Sequence, residues 1–198
     1  MVNESELLAA ANDVLVSTCE ANRYHSKDLA LGVDGEKEHA IETMGWVTKL
    51  RADSSLPLKL AALFHDIDRI VTPNMGGLAE GFKGKRPSIE YQSYKKQHAK
   101  RSSDYACQQL LQKGFSAEVI RKTRYYINHH ADSAEELELE GNEELNALVA
   151  ADALAFLTND SRRISQYAGE EVLKLETKLV MDSLPQSVKS KISEITLK

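Results

Sequence analysis

Apolar residues recur at every third or fourth position along almost the whole of this chain, and no stretch sustains the alternation of a half-buried strand. That periodicity confines the fold to packed helices. It predicts an all-α multi-helix bundle, read as one helical domain over residues 1–198. Only 4 prolines and 10 glycines interrupt the 198 residues, so the regular segments should be long. The spacing predicts helices over about 4–20, 36–51, 56–70, 89–113, 116–130, 142–157, 160–183 and 186–196, with a short acidic helix or turn in 131–141. Local punctuation agrees. Asn3 or Ser5, Ser116 and Asn142 suit N-caps, Pro57 suits a first turn, and Gly114 suits a helix end. Residues 72–88 are rich in glycine and carry Lys83, Lys85 and Arg86. They read as a loop, either one that closes over an anionic ligand or a plain surface loop.

A formal net charge of −5 argues against general nucleic-acid binding, which calls for a basic excess, and leaves room for a local basic pocket. Cys19 and Cys107 form no CxxC pair, so two free thiols in a reducing compartment are expected. The N-terminus lacks a basic region followed by an apolar core, and no apolar run approaches a membrane span. The expected address is the cytoplasm, with no membrane partner. The segments after Asp160 carry no chemical signature and are expected to be scaffold or a homo-oligomer surface.

Several polar residues stand where an apolar stripe should continue. In EELNALVAADALAFL the residues Leu145, Leu148, Val149 and Phe156 lie at −7, −4, −3 and +4 from Asp152, which places that carboxylate on the inward face. A lone buried carboxylate costs several kcal/mol, so it needs a cation, a hydrogen-bonding partner or a proton. His39 lines up with Thr43, Trp46 and Leu50. His65 and Asp66 interrupt the stripe of Leu56, Leu60, Leu63, Ile67 and Ile70. Read singly, each has an ordinary structural explanation: a satisfied core histidine, a helix-interior aspartate, a local cap. His98 and the pair His129–His130, read singly, are solvated histidines. As a set they are imidazole nitrogens and carboxylate oxygens without thiolates. Such donors suit one or two divalent ions (Mn, Fe, Co, Ni, Zn or Mg) in a site open to water.

The order His39 … His65-Asp66 … Asp152 resembles the H…HD…D signature of the HD-domain superfamily of metal-dependent phosphohydrolases, with LKLAALFHDIDR around the pair and NALVAADALAFL around the last aspartate. The resemblance covers roughly residues 36–157. It implies an HD-domain-like multi-helix bundle, with the N- and C-terminal helices packed on that core. His39, His65, Asp66 and Asp152 would hold one ion, and Asp66 could bridge to a second. Family members with two ions add histidines between the HD pair and the last aspartate, the interval that holds His98, His129 and His130. INHHADS resembles the double histidine of the HD-GYP branch, but the Gly-Tyr-Pro motif is missing, which argues against a cyclic-di-GMP phosphodiesterase. HDIDR lacks the Glu-Asp pair of stringent-response members, which argues against an alarmone hydrolase.

The resemblance implies hydrolysis of a small phosphorylated substrate, a phosphomonoester or phosphodiester with nucleotides among the candidates, by a water whose pKa the ion lowers toward ~7. Arg69 lies one turn beyond Asp66, matches a recurrent basic residue of the family, and would grip phosphate. Lys95 and Arg101, at −3 and +3 from His98, would assist it or else form a solvated face. Asp68 is a candidate for proton transfer, although a straight helix turns it about 200° from Asp66. Two other readings stay open. Some HD-fold proteins use a di-iron centre to cleave C–C or C–P bonds with oxygen. A non-catalytic regulatory module would hold an ion without turnover.

Overall fold

The computed structural model describes residues 3–24, 31–72, 89–161 and 170–196, and every regular element among them is helical. Helix α1 (Glu4–Ala21) opens with a capping box. The Asn3 side chain accepts from the Glu6 N–H, and the Glu6 carboxylate accepts from the Asn3 N–H. Helix α2 (Gly32–Leu50) starts four residues earlier than its apolar periodicity predicts, which puts Glu36 inside its first turns. Ser55 caps α3 (Leu56–Phe64), with Pro57 in the first turn. Helix α4 (Ile67–Val71) follows at once. Helices α5 (Ile89–Gln112), α6 (Ala117–His129) and α7 (Ala134–Glu140) lead to α8 (Glu143–Ala155), capped by Asn142. A single π turn, Phe156–Asp160, continues α8. Helices α9 (Glu170–Asp182) and α10 (Gln186–Thr196) complete the chain. The expected loop falls almost wholly in 73–88, outside the described residues, as do 162–169 of the expected helix 160–183.

Helix α3 lies at the centre because nearly all of it is apolar. Seven of its nine residues are buried, and it touches α1, α2, α5, α6 and α8. Ala61 and Ala62 present no bulk, so the neighbouring helices come close. Helix α8 repeats the device with Ala147, Ala150, Ala151 and Ala153 and packs along α2 on one side and α10 on another. Helices α5 and α6 form an antiparallel pair that closes against α3 and α4. Among the described residues, no helix is long and apolar enough to cross a membrane.

The apolar stripe from Leu56 to Ile70 predicts one unbroken helix, and the structure breaks it. The α3 ladder ends at Phe64, and Asp66 takes φ −112° and ψ 14° before α4 begins. Asp66 is thereby lifted out of helical register at the point where the core meets the polar cluster.

Leu148 is fully buried in the α8 face that meets the core. Leu148→Ala should cost about 2–5 kcal/mol of folding stability. Urea unfolding followed by circular dichroism would measure it, and a loss under 1 kcal/mol would show that α8 is not packed as described.

Candidate metal centre

Four helices deliver histidines to one place: His39 from α2, His65 from the end of α3, His98 from α5 and His130 from the end of α6. Asp66 comes from the break between α3 and α4, and Asp152 from α8. Among the described residues these form two groups that could hold a metal ion, His39–His65–Asp152 and Asp66–His98–His130.

In the first group, His39 Nε2 lies 3.2 Å from His65 Nε2 and 3.1 Å from Asp152 Oδ1, and His65 Nε2 lies 3.5 Å from the same oxygen. Asp66 Oδ2 lies 3.6 Å from His65 Nε2 and 2.8 Å from Arg69 Nη2. Donors held about 2.1 Å from one ion stand about 3.0–3.4 Å apart, so the spacing suits a shared cation. In the second group, Asp66 Oδ1 lies 2.6 Å from His98 Nε2 and 3.7 Å from His130 Nε2. The two oxygens of Asp66 thus face different groups.

The outer nitrogen of each ring decides what the inner one offers. His65 Nδ1 donates to the Ala62 carbonyl at 3.0 Å, and His130 Nδ1 to the Ile127 carbonyl at 2.6 Å. His98 Nδ1 meets Asp68 Oδ2 at 3.0 Å, and His39 Nδ1 meets Asp160 Oδ2 at 2.7 Å. Carbonyls only accept, so His65 and His130 carry a proton on Nδ1 and turn the Nε2 lone pair inward. His39 and His98 instead meet carboxylates at both nitrogens, Asp152 and Asp160 at His39 and Asp66 and Asp68 at His98. Lone pairs facing one another at 3.2 Å repel, and a cation or an added proton relieves them.

Several sequence-predicted residues take different places from those expected. His129 turns away from the cluster; its side chain is 42% exposed and its Nδ1 contacts Asp132 Oδ2 at 2.6 Å. Of the pair, His130 alone joins the donors. Asp68 is not aimed at the centre. It is buried behind His98 and also receives Arg101 Nε at 2.9 Å, Arg101 Nη2 at 2.8 Å and the Thr72 hydroxyl. Arg101 is therefore engaged on Asp68, with its bidentate fork filled by a carboxylate. Lys95 is half-buried one turn before His98. Arg69 sets Nη2 2.8 Å from Asp66 Oδ2, and its side chain is 39% exposed. Asp152 is more open than its apolar stripe predicts, with 36% of the side chain exposed. Arg69 and Asp152 form the accessible rim of the centre.

Three contributors escape the sequence patterns. Glu36 is buried on α2 one turn before His39, with Oε2 3.6 Å from Arg69 Nη1. Its spacing from His39 was the available signal. Asp160 sits at the end of the π turn, where α-helical periodicity gives no guide. Tyr94 stacks on His98 with ring centroids 6.2 Å apart, one turn earlier on α5.

Burial opposes charge on His39, but Asp152 and Asp160 outweigh it and hold its pKa well above 6.5. Burial likewise opposes charge on Asp66, yet Arg69, His65 and His98 hold it well below 3.8. For Asp152, burial is outweighed by His39 and His65. Burial pushes His130 down and Glu36 up. For the chelated protein the signs follow from linkage. His39 contributes stability fully present below pH 6.5 and lost as pH rises through its raised value. Asp66 and Asp152 contribute stability present above pH 3.8 and lost as pH falls through their lowered values. The thermal midpoint in EDTA should therefore fall as pH rises above 6.5, and added divalent ion should reverse that slope, because binding needs deprotonated His39. Melting curves across pH with and without Mn²⁺ test this; an EDTA midpoint flat from pH 6.5 upward contradicts it.

No curated protein and no solved structure matches the chain. The model of the family described as a domain of unknown function, DUF4202, matches residues 18–184, a span that includes all six candidate donors and both carboxylates behind the histidines. The chain belongs to the DUF4202 family.

Proposed function

We propose that the protein is a metal-dependent phosphohydrolase acting on a small phosphorylated molecule. One observation carries the reading: two histidine-rich donor groups meet at Asp66, whose Oδ1 belongs to one and whose Oδ2 lies 3.6 Å from His65 of the other, with the partly exposed guanidinium of Arg69 held against it. The resemblance of the H…HD…D pattern to the HD-domain superfamily supports the same conclusion. Divalent ions held by these donors would supply Lewis acidity toward a phosphoryl oxygen and a water acidified to a pKa near ~7.

The chain's own residues divide the remaining work. His39, His65 and Asp152 would hold one ion, His98 and His130 the other, and Asp66 would join them. Arg69 sets Nη2 against Asp66 and Nη1 3.6 Å from Glu36, and its exposed side would orient a phosphate at the rim. Asp68 is occupied by His98, Arg101 and Thr72, so it orients His98 and is a poor candidate to carry a proton. Asp152, open to solvent on one side, marks the direction from which substrate and water approach.

The two histidines in each group also favour a second reading, an iron centre that uses oxygen. Elemental analysis of the purified protein separates the two: iron with oxygen consumption supports the oxidative reading, and turnover of phosphoesters with Mn²⁺ or Co²⁺ supports hydrolysis. Ion binding without turnover in either assay would leave a regulatory module.

On a phosphatase and phosphodiesterase panel with different divalent ions, Asp66→Ala should reduce turnover to background. Arg69→Ala removes a charge-assisted contact of about 1.5–3 kcal/mol and should lower kcat/KM by about 10–150-fold while leaving ion content intact. Hydrolysis that persists unchanged in Asp66→Ala would eliminate the assignment.

A further inference from the structure

We propose that Asp160 is a positioning residue for His39, and that the π turn Phe156–Asp160 is the device that brings it there. The inference rests on the metal-centre reading above and extends it to a residue outside the donor set.

His39 is held at both ring nitrogens by one continuous helical run. Asp152 Oδ1 meets Nε2 at 3.1 Å, and Asp160 Oδ2 meets Nδ1 at 2.7 Å. These aspartates stand eight residues apart. In an unbroken α-helix that separation turns the second roughly 80° away from the first. The π turn alters the sum. The Ser161 N–H bonds to the Phe156 carbonyl, five residues back, so each residue turns through less than an α-helical step and part of the overshoot is taken back. Both carboxylates then reach the same imidazole.

The local sequence supports the widened turn. Thr158 Oγ1 donates to the Leu154 carbonyl and Ser161 Oγ to the Leu157 carbonyl, each at 2.7 Å, which supplies hydroxyl partners to carbonyls that the wider ladder serves poorly. Asp160 is costly to bury. The residue is 2% exposed, and its Oδ1 is buried without a hydrogen-bond partner. A buried carboxylate with an orphan oxygen costs stability. Its other oxygen lies 2.7 Å from His39 Nδ1, which sets the ring's orientation and makes Nε2 a stronger donor toward a cation.

Asp68 is the counterpart behind His98, which gives the experiment an internal control. Co²⁺ is titrated into the full-length chain, followed by visible absorption and calorimetry, for the wild type, Asp160→Asn and Asp68→Asn. The first group also has Asp66 Oδ2 beside it, 3.6 Å from His65 Nε2, so the wild type should bind in a tighter and a weaker step. Asp160→Asn should weaken the tighter step about 10–100-fold and leave the weaker one. Asp68→Asn should act mainly on the weaker step. Affinities of Asp160→Asn within twofold of wild type would overturn the role of Asp160 alone. So would an equal fall in both steps, since that is the signature of a merely structural carboxylate. A wild type that takes up no Co²⁺ would overturn this inference together with the metal centre.

Discussion

Imidazole lone pairs cannot face one another inside a protein unless something positive lies between them, and the architecture is organised around that constraint. His39, His65, His98 and His130 come from four different helices, and in each the outer nitrogen lies within 3.0 Å of an acceptor. Two of those acceptors are carbonyls of the histidine's own helix, three residues back. The other two are carboxylates brought from distant sequence. Orientation is therefore set twice, once by local backbone and once by tertiary packing. Small residues on α3 and α8 let the helices approach closely enough for the inner nitrogens to meet.

The break at Asp66 gives that convergence its two-sided form. Neighbours on a straight helix diverge by about 100°, which suits residues that serve different faces. Taking Asp66 out of register lets it stand between His65 and His98 and give one oxygen to each side. Arg69, three residues on, then neutralises the carboxylate from the solvent side, and Glu36 steadies Arg69 from α2. A two-residue interruption in an apolar helix thus converts adjacency in the chain into a bridge.

The helices were legible because amphipathic periodicity survives in nearly all of them, and caps such as Ser116 and Asn142 stand where the ladders begin. His39 and Asp152 were legible for the opposite reason: each breaks a stripe that should be apolar. What stayed hidden involved departures from ideal periodicity. The kink at Asp66 left no trace in the stripe of Leu60, Leu63, Ile67 and Ile70, since those residues are buried on both sides of it. Asp160 was hidden by the π turn. The fates of His129 and Arg101 turned on single nearby carboxylates, Asp132 and Asp68, whose side chains compete for them. Spacing along a helix identifies which residues can reach a site, but not which acid intercepts them.

Charge sets how such a centre would treat an anion. Asp66, Asp68, Asp152 and Asp160 stand against two guanidiniums, Arg69 and Arg101, leaving two net negative charges among these six side chains. With one divalent ion the cluster is neutral, and a phosphate gains little from its field. With two, it carries two positive charges under a low-dielectric wall of α3 and α8, open to solvent where Arg69 and Asp152 form the rim. In the phosphohydrolase reading, the second histidine group therefore does more than hold another ion: it changes the sign of the site from tolerating an anion to attracting one. Asp66 is the residue on which that change depends, since both groups meet at its carboxylate.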